Sequence, residues 1–88
     1  MTYSVAISSE ARRSISRLPT KVAMAVVEFI TGPLCENPLR LSKPLRGELD
    51  GLRSARRGDY RVLIEVDEAS HALLVVRVGH RADVYRSP

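Results

Sequence analysis

The chain predicts an α+β fold: an N-terminal strand, an antiparallel helical hairpin, then a three-stranded antiparallel meander, with the helices packed on one face of the sheet. Three observations predict it. Apolar residues recur at helical spacing only before residue 36, apolar–polar alternation dominates after residue 48, and the two regimes are separated by a loop punctuated by Pro44 and Gly47. No repeat, low-complexity tract or linker interrupts residues 1–88, so a single domain is expected.

Thr2 to Ser8 alternates, with Tyr3, Val5 and Ile7 on one parity, and reads as a short strand. Ser8 or Ser9 is suited to cap a helix whose apolar stripe is Ala11, Ile15 and Leu18. Pro19 ends that helix, and Thr20 is placed to cap a second one running from Lys21 to about Ile30, with the stripe Val22, Val26, Phe29 and Ile30. Gly32-Pro33 is expected to interrupt it, with a turn of helix resuming from Pro33 and ending at Asn37-Pro38. Residues 39 to 51 read as loop, and a strand is expected from Glu48 or Leu49 to Arg56, although its alternation is poor. Gly58 supplies positive φ for a hairpin turn at Arg57-Gly58-Asp59. The strand Tyr60 to Val66 follows, with Tyr60, Val62, Ile64 and Val66 toward a core and Arg61 and Glu65 on the other parity. After a turn at Asp67 to Ser70, Ala72 to Val78 forms the last strand, with Leu74, Val76 and Val78 as its apolar face and Arg77 opposite. Gly79 then permits a sharp change of direction into His80 and Arg81. The place of the first strand in the sheet is not legible.

Composition narrows the function classes. With 44% hydrophobic and 27% charged residues the chain is globular, and no apolar run approaches the roughly 18–20 residues of a membrane span. A single cysteine, Cys35, excludes an internal disulfide and fits a cytoplasmic setting, where it acts as core filler. The net charge is +4, and 12 of the 14 basic residues are arginine, a side chain whose planar fork of donors matches phosphate oxygens. Arg12, Arg13, Arg17 and Lys21 on the helices form either a solvated face or a contact for a nucleic-acid backbone.

Two histidines nine positions apart and one distant cysteine make no zinc constellation, and no cofactor is expected. No Gly-rich phosphate loop and no Gly-x-Ser-x-Gly elbow is present. The polar inventory is concentrated instead between Arg40 and Arg61, where seven basic residues (Arg40, Lys43, Arg46, Arg53, Arg56, Arg57, Arg61) face three acidic ones. Arg77, Arg81 and Arg86 follow, with His80 and Tyr85. Such a surface is fit to hold an RNA phosphate. RNA carries its own nucleophile, the 2′-hydroxyl, so a protein that orients it, moves its proton and neutralises the growing phosphorane charge needs no metal.

The stretches Leu45-Arg46-Gly47, Gly51 to Val62 (with Gly58-Asp59-Tyr60-Arg61-Val62 at its end), Val76-Arg77-Val78-Gly79-His80-Arg81 and Val84-Tyr85 resemble the RelE/ParE superfamily of type II toxins, the RelE branch more closely. The resemblance covers nearly the whole chain. It implies a metal-independent mRNA endonuclease that enters the ribosomal A site and leaves a cyclic phosphate. It also implies neutralisation by a cognate antitoxin, and a toxin–antitoxin complex that binds operator DNA and represses its own operon, with no membrane partner. By position, Arg61 and Arg81 match the family's phosphate-binding and charge-stabilising arginines, and Tyr85 matches a tyrosine that stacks on RNA and takes part in proton transfer. His80 is a further acid/base candidate. Lys43 and Arg46 fall in the basic substrate loop, and Arg53, Arg56 and Arg77 complete the expected RNA-binding set.

The sequence departs from that pattern in two places. Lys43 is the only lysine in the loop, and Ile64 stands where a tyrosine is frequent. Two other readings stand beside the nuclease: a ParE-like toxin that binds and inhibits DNA gyrase, and an inactive member working only within the antitoxin complex. Single residues also have structural alternatives. Arg77 could pair with Glu65 across the strands, His80 could cap a strand end, and Tyr60 is expected in the core.

Overall fold

The computed structural model describes residues 2–85. Arg86, grouped above with the basic residues, lies outside them. A five-stranded sheet is covered on one face by two helices: β1 (Ser4–Ile7), α1 (Ser9–Ser16), α2 (Thr20–Phe29), β2 (Ser42–Pro44), β3 (Arg53–Arg57), β4 (Tyr60–Asp67) and β5 (Ala72–His80), in the spatial order β1-β5-β4-β3-β2. The expected meander is β3-β4-β5. Two edge strands complete it, β2 antiparallel to β3 and β1 parallel to β5. A parallel pair cannot be joined by a tight turn, and here the connection from β1 to β5 runs through both helices and the three other strands.

Ser8 is the N-cap of α1: its Oγ accepts from the Ala11 amide at 3.0 Å and donates to the Val76 carbonyl at 2.7 Å, so one hydroxyl starts the helix and ties it to β5. Thr20 is not a cap but the first helical residue. Pro19 takes the cap position without a side-chain bond, because its fixed φ (−53°) already delivers the chain to the helix. Gly32-Pro33 does not break α2. The helix widens into a π turn at Ile30–Leu34 and runs on through Glu36, so the missing proline N–H and its clash with the carbonyl four residues earlier are absorbed by the wider turn. Cys35 is buried there, its Sγ donating to the carbonyls of Thr31 and Gly32.

The core lies between helices and sheet. Ala11, Val26, Ile30, Leu34 and Cys35 pack against Ala55, Val62, Ile64, Leu73, Val75 and Val78, with Tyr60 at the margin. Along β5 the inward set is Leu73, Val75 and Val78 rather than Leu74, Val76 and Val78, and Leu74 is exposed. The reason is a bulge. Leu63 pairs with Arg77 and Ile64 with Val75, so Val76 is an extra residue and the alternation changes parity there. The segment Gly47–Leu49 is a 3₁₀ turn, not the start of a strand, with Gly47 and Gly51 at φ +68° and +95° bending the loop back before β3.

Among the described residues, no helix is long and apolar enough to cross a membrane.

Candidate functional site

The turn that opens β4 fixes what each face of the sheet carries. Gly58 has φ +60°, and of the two turn residues only it lies in the left-handed region, as a type II′ hairpin demands. Arg57 then pairs with Tyr60 and Arg56 with Arg61. Tyr60, Val62 and Ile64 face the helices, and Arg61 and Leu63 face the other side. By the same registers that second face also receives Ser54 and Arg56 from β3, Lys43 from β2, and Arg77 and Gly79 from β5.

The second face is partly roofed by the chain leaving β5. The strand continues through His80, so Gly79 is not where the chain turns. The turn comes at 81–85, closed by Asp83 and Val84 amides donating to the His80 carbonyl, both at 2.9 Å. Gly79 serves a different end: a Cβ there would lie 3.3 Å from Val84 Cβ, so its bare backbone lets the returning segment sit on the sheet. Val84 is 2% exposed and Leu63, on the covered face, 0%. Tyr85 follows Val84, with its ring at the surface (42% exposed) and its hydroxyl 2.8 Å from Ser54 Oγ.

Beside this roof runs an open groove of about 590 Å³. Arg40, Lys43, Arg56 and Arg61 supply its charge, Leu41, Pro44 and Leu45 its apolar wall, and Ser54 and Tyr85 its hydroxyls. Four cations and no carboxylate line it. Arg56 and Arg61 stand directly opposite each other across the β3–β4 ladder, an arrangement of like charges that costs stability. Arg61 Nη1 donates to the carbonyls of Gly58 (3.0 Å) and Tyr60 (3.1 Å), which orients the guanidinium without neutralising it. Its Nε and Nη2, like the head groups of Arg40, Lys43 and Arg56, have no protein acceptor among the described residues. The groove therefore offers several aimed or mobile donors to an anion, next to a fixed phenol.

Of the residues expected from sequence, Arg61, Tyr85, Lys43 and Arg56 meet in this groove. Arg81 lies beyond its end, at the Gly58-Asp59 turn. Its amide donates to the Asp59 carbonyl at 2.8 Å, and its Nε stands 4.0 Å from Asp59 Oδ1, both side chains being well exposed. Arg46 is exposed and does not line the groove.

Three expected residues are placed elsewhere by register or by partners. His80 pairs with Tyr60, so its ring falls on the helix face. There it makes an edge-to-face contact with the Tyr60 ring at 5.5 Å and accepts the Ala82 amide at Nδ1 (3.1 Å). Arg53 has the parity opposite to Ser54 and braces the β2 edge: Nε donates to Ser42 Oγ at 2.7 Å and Nη2 to the Ser42 and Leu39 carbonyls. Arg77 does face the second side, but not toward Glu65, which sits opposite Leu74. Its Nε donates to Glu10 Oε2 and its Nη1 to the Val84 carbonyl, each at 2.9 Å.

Arg40 and Ser54 were not singled out from sequence as site residues. The signal for Ser54 was present in the poor alternation of Arg53-Ser54-Ala55-Arg56, where Ser54 and Arg56 share one parity. Arg40 belonged to the basic concentration from Arg40 to Arg61, but its place in the groove could not be read, because β2 is not legible in Ser42-Lys43-Pro44. Arg12, Arg13, Arg17 and Lys21 are all exposed, on elements that lie on the far side of the sheet from the groove.

Comparison with known proteins gives one consistent answer. A family model described as ParE toxin of type II toxin-antitoxin system, parDE, matches residues 5–85. The chain is 51% identical over 84 residues to a protein named Toxin RelE of Mycobacterium tuberculosis, spanning 96% of this chain and 87% of that one. It is 49% identical over 86 residues to Toxin RelG of the same organism, spanning 98% and 99%. In three dimensions it is similar to the toxin–antitoxin complex RelBE2 of M. tuberculosis (TM-score 0.88, 46% identity, 92% of this chain and 100% of that chain). The isolated RelE toxin of Escherichia coli shares the fold (TM-score 0.72, 20% identity, 97% of this chain and 87% of that chain).

Proposed function

The chain belongs to the ParE toxin family of type II toxin–antitoxin systems, and from that premise we propose that it is an endoribonuclease that cuts mRNA in the ribosomal A site. The observation that carries this reading is the groove: four cations with no carboxylate among its lining, two of them at directly opposed positions on adjacent strands, beside the Tyr85 hydroxyl. An anionic ligand relieves that arrangement, and a row of phosphates is such a ligand.

In the proposed reaction the 2′-oxygen attacks the adjacent phosphorus and the bond from phosphorus to the 5′-oxygen breaks. One fragment keeps a 2′,3′-cyclic phosphate and the other a 5′-hydroxyl. The 2′-proton passes to solvent water, and Tyr85 gives its hydroxyl proton to the leaving 5′-oxygen before regaining one from solvent. Arg61, aimed by the Gly58 and Tyr60 carbonyls, holds the phosphate and meets the charge that builds on its oxygens. A preorganised donor in such a place is worth about 3–4 kcal/mol of transition-state stabilisation. Arg56, Lys43 and Arg40 bind flanking phosphates, and Leu41 and Pro44 offer a surface for a base. Arg81, at the turn end, extends the cationic track. A cognate antitoxin neutralises the toxin, and operator DNA is bound only by the complex of the two.

Expression of the chain alone is expected to arrest translation and to give codon-register cuts in ribosome-bound mRNA, undiminished in cleavage assays by a chelator that leaves the ribosome intact. Arg61→Ala with Tyr85→Phe should abolish both arrest and cuts. The family description also names ParE, and a gyrase inhibitor would act differently: toxicity with intact mRNA and blocked DNA supercoiling would overturn the nuclease reading.

A further inference from the structure

The returning segment at 81–85 is held at three points, and each bears on one residue. Gly79 lets Val84 lie on the sheet. Arg77 Nη1 grips the Val84 carbonyl at 2.9 Å, while its Nε is bound at 2.9 Å by Glu10, in the first turn of α1. Ser54 Oγ, from β3, meets the Tyr85 hydroxyl at 2.8 Å. β1 ends at Ile7 opposite Val75, so beyond that point β5 has no strand on this side and the start of α1 fills the edge. Glu10 thereby reaches a guanidinium on the opposite side of the sheet. The chain of contacts runs from α1 through Arg77 to the main chain of Val84, and closes on the neighbouring side chain at Ser54.

From this we infer that Glu10, Arg77 and Ser54 are positioning residues for Tyr85: the Glu10–Arg77 pair sets the main chain of the returning segment, and Ser54 sets the hydroxyl. None of the three need touch RNA. A phenol with 42% of its residue surface exposed has few packing contacts to hold it, so without the brace its hydroxyl would sample many positions over the groove. Two clamps on adjacent residues, one on the backbone and one at the ring's far end, remove that freedom. The arrangement also accounts for Arg77, whose charge on the groove side of the sheet is spent on a carboxylate and a carbonyl rather than offered to a ligand.

This inference rests on the nuclease reading for its effect on rate, so its test has two arms. In single-turnover cleavage of ribosome-bound mRNA, Ser54→Ala and Arg77→Met should each slow the chemical step about tenfold, with the half-saturating ribosome concentration unchanged. Ser54→Thr, which keeps the hydroxyl, should recover most of the rate. The diagnostic comparison is with Tyr85→Phe: adding Ser54→Ala or Arg77→Met to that variant should cost nothing further, because a positioning residue has nothing left to position. Additive losses, or losses confined to half-saturation, would overturn the inference and return Arg77 to RNA binding.

The second arm needs no activity. The chain has three tyrosines, and ring-labelled tyrosine NMR of the free protein should show the Tyr85 signal shifted or broadened by Glu10→Gln and by Arg77→Met, with Tyr3 and Tyr60 unmoved. An unmoved Tyr85 signal in both variants refutes the brace. If the unaltered chain cleaves nothing, or Tyr85→Phe cleaves at the full rate, the reading of the site fails instead, and with it the catalytic purpose of the brace, whatever the signals show.

Discussion

Replacing Arg56 with glutamine should make the protein more stable and less active. Arg56 and Arg61 are paired across β3 and β4 on the groove face, one step from the hairpin turn, where opposed Cβ atoms lie about 5 Å apart. At most, with the guanidinium charges kept at that spacing in a water-like dielectric, they repel by about 0.8 kcal/mol, within the roughly 0.2–1 kcal/mol scale of cross-strand pairs. Screening at 0.1 M salt, with a Debye length of about 10 Å, leaves about 0.5 kcal/mol; at 1 M, where it is about 3 Å, about 0.15 kcal/mol remains. For a domain of this size about 0.5 kcal/mol corresponds to a rise in Tm of about 2–4 °C. Arg56 is the informative partner to replace, because it is exposed and makes no side-chain hydrogen bond among the described residues, whereas Arg61 is anchored to two carbonyls. Calorimetric melts at both salt concentrations give the answer, with cleavage of ribosome-bound mRNA measured in parallel. A lower Tm for the variant at 0.1 M, or a gain that survives at 1 M, would show that the opposed pair is not under electrostatic stress and that the groove needs no anion to relieve it.

Two further predictions concern the scaffold. Ser8→Ala removes both the cap of α1 and the bond to the Val76 carbonyl; urea unfolding should show a loss of about 1–2 kcal/mol, and a loss below about 0.5 kcal/mol would mean that neither bond is formed in solution. Asp67 accepts the Ser70 amide in the turn before β5, and this bond holds its carboxyl below the ordinary carboxylate range. A carboxyl depressed in the folded state adds stability that is complete above its unfolded pKa, about 3.9, and is lost as pH falls through the folded value. The stability difference between the unaltered protein and Asp67→Asn should therefore be constant near pH 6 and shrink below about pH 4; a difference independent of pH down to 3 would refute the assignment.

Where local chemistry decides, the sequence could be read. Gly58 dictates the turn, the turn dictates the register, and the register puts Arg61 on one face and Tyr60 on the other. Helix ends followed from Ser8 and Pro19 for the same reason. The rest depends on partners distant in the chain. β2 is three residues, one of them proline, and exists only because Ser42, Lys43 and Pro44 find β3 and Arg53 ties their edge. The bulge at Val76 is invisible in an apolar run, since Leu74, Val76 and Val78 alternate as well as Leu73 and Val75 do. His80 and Arg77 were grouped with the groove residues because basic character is visible in a sequence and parity after a bulge is not. Motif similarity picked out Arg61, Arg81 and Tyr85, of which Arg61 and Tyr85 line one groove, but it is silent on Ser54 and Glu10, which matter through contacts rather than through type.

The parallel pairing of β1 with β5 has a bearing on how the toxin comes into being. Ser8 waits for Val76, a partner 68 positions later, and at about 5–20 residues per second a ribosome takes about 3–14 s to supply it. During that interval the first strand has no neighbour and α1 has no sheet edge to fill. The Glu10–Arg77 contact spans nearly the same distance, so the groove's phenol is among the last features to be set. Pairings this far apart in the chain also fold slowly, because a long loop must close before any contact rewards it. The topology thus delays completion of the groove until the last strand and its returning segment have been made.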